Sequence, residues 1–207
     1  VAFPFKKGFF PLISNLFSLI LPWFFYTPYE RQIITDLPLK TILETGYFHE
    51  QSTKPLTLSY GLSDSPVGLL AWIVEKFYVW SDVSTKDFFE VHSKDELLTN
   101  FMIYWTTNTA FSSVRFYYEM WNNGPINVFE RLLTLHVPVP TGVAVFPKEI
   151  IPPIRRWAEA YYTNIVQWNH MPSGGHFAAL EEPVLLVNEI WKFKEVVEKI
   201  NEQKKDL

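Results

Sequence analysis

The stretch Asn169-His170-Met171-Pro172-Ser173-Gly174-Gly175-His176-Phe177-Ala178-Ala179-Leu180-Glu181-Glu182-Pro183 decides how this chain is read. Just before it, Asn164-Ile165-Val166-Gln167-Trp168 is apolar and β-branched and reads as a strand. After it, residues 183–200 carry apolar side chains at helical spacing and read as an amphipathic helix. His176 therefore falls on a strand-to-helix loop. Gly174 and Gly175, ahead of it, permit backbone angles closed to other residues and let another segment approach closely. Such a loop can hold a titratable imidazole over a cleft, since a rigid scaffold positions it while it stays accessible. The same spacing also fits a surface histidine in an ordinary turn.

Composition narrows the classes. The 207 residues have room for one domain or two small ones, and 48% apolar content is ample for a packed core. A net charge of −4, a pI near 5.8 and no basic stripe beyond Lys204-Lys205 argue against a nucleic-acid partner. The chain has no cysteine, which excludes disulfide frameworks, zinc-thiolate sites and cysteine nucleophiles. Aromatic residues make up 17%, with 8 Trp, a density that suits an apolar ligand cavity or an aromatic-rich core.

The chain starts at Val1 without a methionine and enters an apolar run over residues 9–26, broken by Pro11, Asn15, Ser18 and Pro22. A signal peptide would need a basic n-region and a small-residue cleavage site, and a spanning helix about 20 uninterrupted apolar residues. The run is expected instead to form broken helices that cover a cavity or touch a membrane surface, with no targeting segment. A short helix is expected over residues 39–51 after Pro38, running into a loop over residues 44–51. The next helix is better marked. Ser65 can cap it, Pro66 sits in its first turn, and Leu69, Ile73, Phe77 and Trp80 share one face. Ser93-Lys94-Asp95-Glu96 is a capping box, and its apolar face continues through Leu97, Phe101 and Ile103-Tyr104-Trp105.

The pattern changes after Gly124-Pro125, which divides a helical region, residues 1–125, from residues 126–207. Residues 135–146 form an apolar run of parallel-strand type, whose prolines put its regular part after Pro140. A helix is expected over residues 153–161, then the strand at Asn164, then the last helix, where Leu186, Ile190, Phe193, Val197 and Ile200 share a face. This is β-α-β-α, the order of a parallel sheet. Two strands do not make a stable sheet alone, so the region is expected to close a larger α/β domain whose other strands are not in these residues. Sites of such sheets lie at the carboxyl ends of the strands. Glu149 follows the first strand and His176 the second, so neighbouring strands would bring them together as an acid-base pair. Taken alone, Glu149 also fits a helix-start glutamate that favours the positive end of the dipole.

These residues carry a resemblance. Gly174-Gly175-His176-Phe177-Ala178-Ala179 with Glu181-Glu182-Pro183 is similar to the catalytic-histidine segment of epoxide hydrolases of the α/β-hydrolase fold. Three more stretches resemble the microsomal and juvenile-hormone branch: Val139-Pro140-Thr141-Gly142 with Phe146-Pro147 and Glu149; Asp64-Ser65-Pro66-Val67-Gly68-Leu69 with Glu75-Lys76-Phe77; and Tyr104-Trp105-Thr106-Thr107 with Arg115-Phe116-Tyr117. The likeness runs from about residue 45 to residue 199. It implies a partial α/β-hydrolase fold, with residues 1–125 as a helical lid and 126–207 as the last βαβα of the parallel sheet. His176 would activate water and Glu149 would be its acid partner, in the order nucleophile, acid, histidine. Tyr47 and Tyr117 would be the lid tyrosines that hydrogen-bond and protonate the epoxide oxygen, with Tyr118 the alternative to Tyr117.

The implied substrates are an apolar epoxide and water, without cofactor or metal. The epoxide would be a xenobiotic oxide or an insect terpenoid hormone. Association with the endoplasmic reticulum membrane follows only by analogy. One departure is decisive for the chemistry: none of Asp36, Asp64, Asp82, Asp87, Asp95 and Asp206 lies in a Gly-x-Asp-x-Gly elbow, and no His-Gly-x-Pro oxyanion loop is present. Two readings follow, a C-terminal portion of an epoxide hydrolase whose nucleophile lies elsewhere, or a truncated non-catalytic chain that binds apolar ligands or a partner half.

Overall fold

A computed structural model describes residues 18–122 and 135–205. The chain forms two compact units, one of residues 36–131 and one of residues 1–35 with 132–207. The expected division at Gly124-Pro125 lies outside the described residues, as do residues 9–17 of the apolar N-terminal run and Asp206.

The unit of residues 36–131 is helical wherever it is described by regular structure. After the end of α2 (Pro28–Glu44, which the unit boundary divides) come α3 (Gly46–Thr53), α4 (Pro55–Asp64), α5 (Pro66–Trp80), α6 (Phe88–Val91), α7 (Lys94–Thr106) and α8 (Ala110–Asn122). The caps are those expected. Ser65 Oγ accepts the Gly68 amide at 3.0 Å at the start of α5, and Ser93 and Glu96 make a reciprocal capping box on α7. Helix α8 packs along α3 and α4, α4 against α5, and α5 against α7. Their shared core is Leu62, Leu69, Phe101, Ala110 and Val114, flanked by Leu58, Trp72, Ile73, Tyr104 and Trp105.

Two expectations in this unit are corrected. Pro38 does not precede a helix but lies inside α2, and the loop expected over residues 44–51 is the helix α3. Proline removes only one amide from the ladder, and the surrounding α2 residues keep helical bonding, so it did not act as a boundary. Gly46 occupies the first turn of α3, where a missing side chain costs little, rather than a turn.

In the other unit α1 (Pro22–Phe25) and the first part of α2 precede β1 (Thr141–Val145), α9 (Arg155–Ala158), β2 (Ile165–His170), α10 (Ala178–Glu181) and α11 (Pro183–Lys205). The strands pair in parallel, with Gly142 opposite Gln167, Val143 opposite Trp168, Ala144 opposite Asn169 and Val145 opposite His170. The regular part of the first strand does begin after Pro140. Strand β2 runs two residues further than the apolar pattern, through Asn169 and His170, and the helix expected over 153–161 is the single turn α9. Helix α11 packs on both strands. A close approach fixes Gly142, because a Cβ there would lie 2.7 Å from the ring of Phe193 on α11. Buried around the sheet are Tyr26, Val145, Phe146, Ile154, Trp157, Ala158 and Tyr161. Three polar groups of that core pair with one another: Trp157 Nε1 donates to the Tyr26 hydroxyl at 3.0 Å, which is 2.7 Å from Ser18 Oγ.

Candidate active site

The ends of the two strands carry the histidine and the glutamate. Beyond β1 the Lys148 amide donates to the Gly174 carbonyl at 3.1 Å, and Lys148 and Gly175 form one further parallel bridge. The pairing is thus carried past the strands into the two loops, which brings residues 149 and 176 side by side. Gly174 has φ +102°, and a Cβ on it would stand 2.7 Å from the Phe146 ring and 3.2 Å from Glu182 Cγ. Backbone conformation and space both require glycine there.

His176 Nδ1 lies 2.8 Å from Glu149 Oε1. An ionised carboxylate only accepts, so Nδ1 carries the proton and, in the neutral ring, the lone pair is on Nε2. The Glu149 carboxylate is fixed in turn by the Ile150 amide at 2.7 Å. The hydrogen bond to Glu149 holds the His176 pKa above the ordinary 6.5, against partial burial, with the charges of Glu149 and Glu181 adding to it. Burial opposes ionisation of Glu149, but the hydrogen bond and charge of His176 and the backbone amides of Ile150 and Ile151 outweigh it and bring its pKa below 4.5. The pair therefore favours the charge-separated form, the state in which a carboxylate stabilises an imidazolium.

The loop has a support that the spacing of residues did not disclose. Glu181, buried on α10, accepts the Gly175 amide at 2.9 Å and the Phe177 amide at 2.8 Å, and Ser173 Oγ donates to Glu182 at 2.9 Å. The available signal was the acidic pair following the loop by one helical turn. Behind the loop, buried Glu189 on α11 accepts from Gln167 and Asn169 of β2, each at 2.6 Å, and from Lys192. The amide of Asn169 leads the interactions that lower its pKa.

Tyr47 on α3 and Tyr117 on α8 also meet, within the helical unit. Their rings stand edge to face at 5.9 Å, and Phe48 packs on Tyr117 at 5.9 Å. Burial, then the neighbouring Tyr117 hydroxyl, raises the Tyr47 pKa. Trp80 packs on Tyr47 and the Lys76 ammonium lies 5.3 Å from its ring centre. Tyr118 is exposed, and the ring that meets Tyr47 is that of Tyr117. The structure thus brings His176 to Glu149 in one unit and Tyr47 to Tyr117 in the other. Among the described residues no group of three or more His, Asp or Glu could hold a metal ion.

Parallel strands with helix α11 packed on them, a glutamate after one strand and a histidine on the loop after the next are features of the α/β-hydrolase class, present here in part. No protein-family model matches the chain. It is 44% identical to epoxide hydrolase 1 of Sus scrofa over 160 residues, 75% of this chain and 35% of that protein. It is 39% identical to juvenile hormone epoxide hydrolase 1 of Ctenocephalides felis over 171 residues, 78% of this chain and 36% of that one. The crystal structure of juvenile hormone epoxide hydrolase from the silkworm Bombyx mori superposes with a TM-score of 0.80 at 29% identity, covering 97% of this chain and 49% of that one. The chain is homologous to the epoxide hydrolases of the α/β-hydrolase fold. It spans less than half the length of the relatives it matches.

Proposed function

We propose that these residues belong to an enzyme that hydrolyses apolar epoxides to vicinal diols through an alkyl-enzyme ester, the nucleophilic aspartate being supplied by a part of the protein outside these 207 residues. The observation that carries the reading is the 2.8 Å contact between His176 Nδ1 and Glu149 Oε1 at the ends of paired parallel strands. In the first step the carboxylate attacks an epoxide carbon, the carbon-oxygen bond breaks, and the oxygen takes a proton from a tyrosine. Tyr47 and Tyr117 are proposed for that role, a hydroxyl pair able to stabilise a developing alkoxide. In the second step His176 Nε2 takes a proton from water as the water attacks the ester carbonyl, and Glu149 stabilises the imidazolium that results. Collapse of the tetrahedral intermediate expels the second diol oxygen, which takes the proton held on His176, and the proton of the carboxyl group so formed returns to the tyrosinate, restoring carboxylate, neutral imidazole and tyrosine.

In this proposal the helical region is the lid and residues 126–207 belong to the hydrolase core. Two relatives are named for juvenile hormone or general epoxide hydrolysis, which supports an apolar epoxide as substrate. Membrane association is part of the proposal by family analogy. No helix among the described residues is long and apolar enough to cross a membrane.

The test is diol formation from an apolar aromatic epoxide by the intact protein that carries these residues, wild type against Glu149→Gln. Turnover by wild type and a loss of about 10²-fold in the variant is the expected result, the usual worth of a positioned acid-base pair. Binding of the epoxide without turnover by the wild type would overturn the proposal and leave an apolar-ligand binder.

A further inference from the structure

We infer that Glu181 is a positioning residue for His176, acting by holding the amides on both sides of the histidine, Gly175 N–H and Phe177 N–H, on one buried carboxylate. Oε2 takes the first at 2.9 Å and Oε1 the second at 2.8 Å, and Glu181 is only 8% exposed. The bond to Phe177 is local, running from Glu181, the last residue of the single turn α10, back to the amide of the residue that precedes that turn. The bond to Gly175 reaches past the histidine, so that one side chain closes a bridge over residue 176 and sets the direction in which the imidazole leaves the backbone.

The rest of the loop makes that bridge effective. Gly174 is pressed against Phe146 in a left-handed conformation, and Ser173 is tied to Glu182 at 2.9 Å. The loop is therefore held on its entry side by packing and on its histidine by Glu181. Charge-assisted bonds of a carboxylate to amides are about twice as strong as neutral ones. Replacing Glu181 by glutamine leaves one oxygen to accept one amide and turns an NH2 toward the other, so one of the two bonds is lost and repulsion takes its place. His176 then swings on a single tether and leaves Glu149.

The inference rests on the assignment of His176 as the water-activating base, and the experiment separates the two. In the intact protein, Glu181→Gln should slow hydrolysis of the alkyl-enzyme by about 10²-fold, as a misplacement of roughly an ångström does, while the alkylation step changes little. The same variant should lose the far-downfield proton signal of His176 Nδ1–H, identified in wild type by its absence in His176→Gln. Unchanged step rates together with an unchanged Nδ1–H signal would overturn the inference. A variant that loses the signal in a protein with no epoxide turnover would uphold the positioning and reject only the assigned reaction. Should Glu181→Gln not fold, hydrogen exchange of the wild type decides: Gly175 and Phe177 amides strongly protected are expected, and exchange at free-peptide rates would overturn the inference.

Discussion

Gly174→Ala should both destabilise the protein and displace the histidine two residues on. At φ +102° an L side chain is strained, a cost of about 1–3 kcal/mol. The added Cβ would also stand 2.7 Å from Phe146 Cδ1 and 3.2 Å from Glu182 Cγ. Phe146 is itself buried, at 7% exposure, so its ring has little room to move. Overpacking of that kind adds about 1–3 kcal/mol. The two contributions together are about 2–6 kcal/mol, which at about 2–4 °C per kcal/mol for a domain of roughly 150–250 residues lowers its melting temperature by roughly 4–24 °C. Gly61→Ala is the internal control. Gly61 lies inside α4, and a Cβ there meets nothing within 4 Å, so alanine should stabilise by about 0.5–1 kcal/mol. Thermal unfolding followed by circular dichroism compares the two variants in the intact protein. A Gly174→Ala melt within about 1 °C of wild type would refute the strained, crowded loop.

Tyr47→Phe and Tyr117→Phe should each slow ring opening by about 10²-fold, read as the rate of alkyl-enzyme formation in a rapid-quench experiment, with later ester hydrolysis unaffected. Full activity of both variants would remove the tyrosines from the chemistry. Ester hydrolysis should rise with pH through a pKa above 6.5, because Glu149 holds the proton on His176 and the base must be neutral, and Glu149→Gln should move that midpoint down. The same pair has a stability signature. His176, with its pKa raised, stabilises the fold fully below 6.5 and less as pH rises through the folded value; Glu149, with its pKa lowered, does so above 4.5 and less as pH falls through its folded value. The urea midpoint difference between wild type and His176→Gln should therefore be larger at about pH 5.5 than at about pH 8.

What the sequence made legible follows from how local each signal is. Ser65 and the box at Ser93 define helix starts by bonds within a few residues, and both caps form as expected. The strand after Pro140 and the pairing of residues 149 and 176 follow from pattern and order, since parallel strands in a βαβ unit put both loops at one end. Pro38 and Gly46 misled because their effect is set by the surrounding helix, not by their own preferences. Glu181 escaped as a functional residue for the same kind of reason. Its bond to the Phe177 amide is local to α10, but its bond to the Gly175 amide depends on the conformation of the glycine loop, which spacing does not disclose.

The most direct test of the proposed chemistry is the intact mass of His176→Gln protein after incubation with an excess of an apolar epoxide. A stable gain equal to the mass of one epoxide, with little diol released, is the expected result, since the nucleophile can still be alkylated while water is no longer activated. Diol formation at the wild-type rate, with no adduct at any time, would contradict the role of His176 as the base.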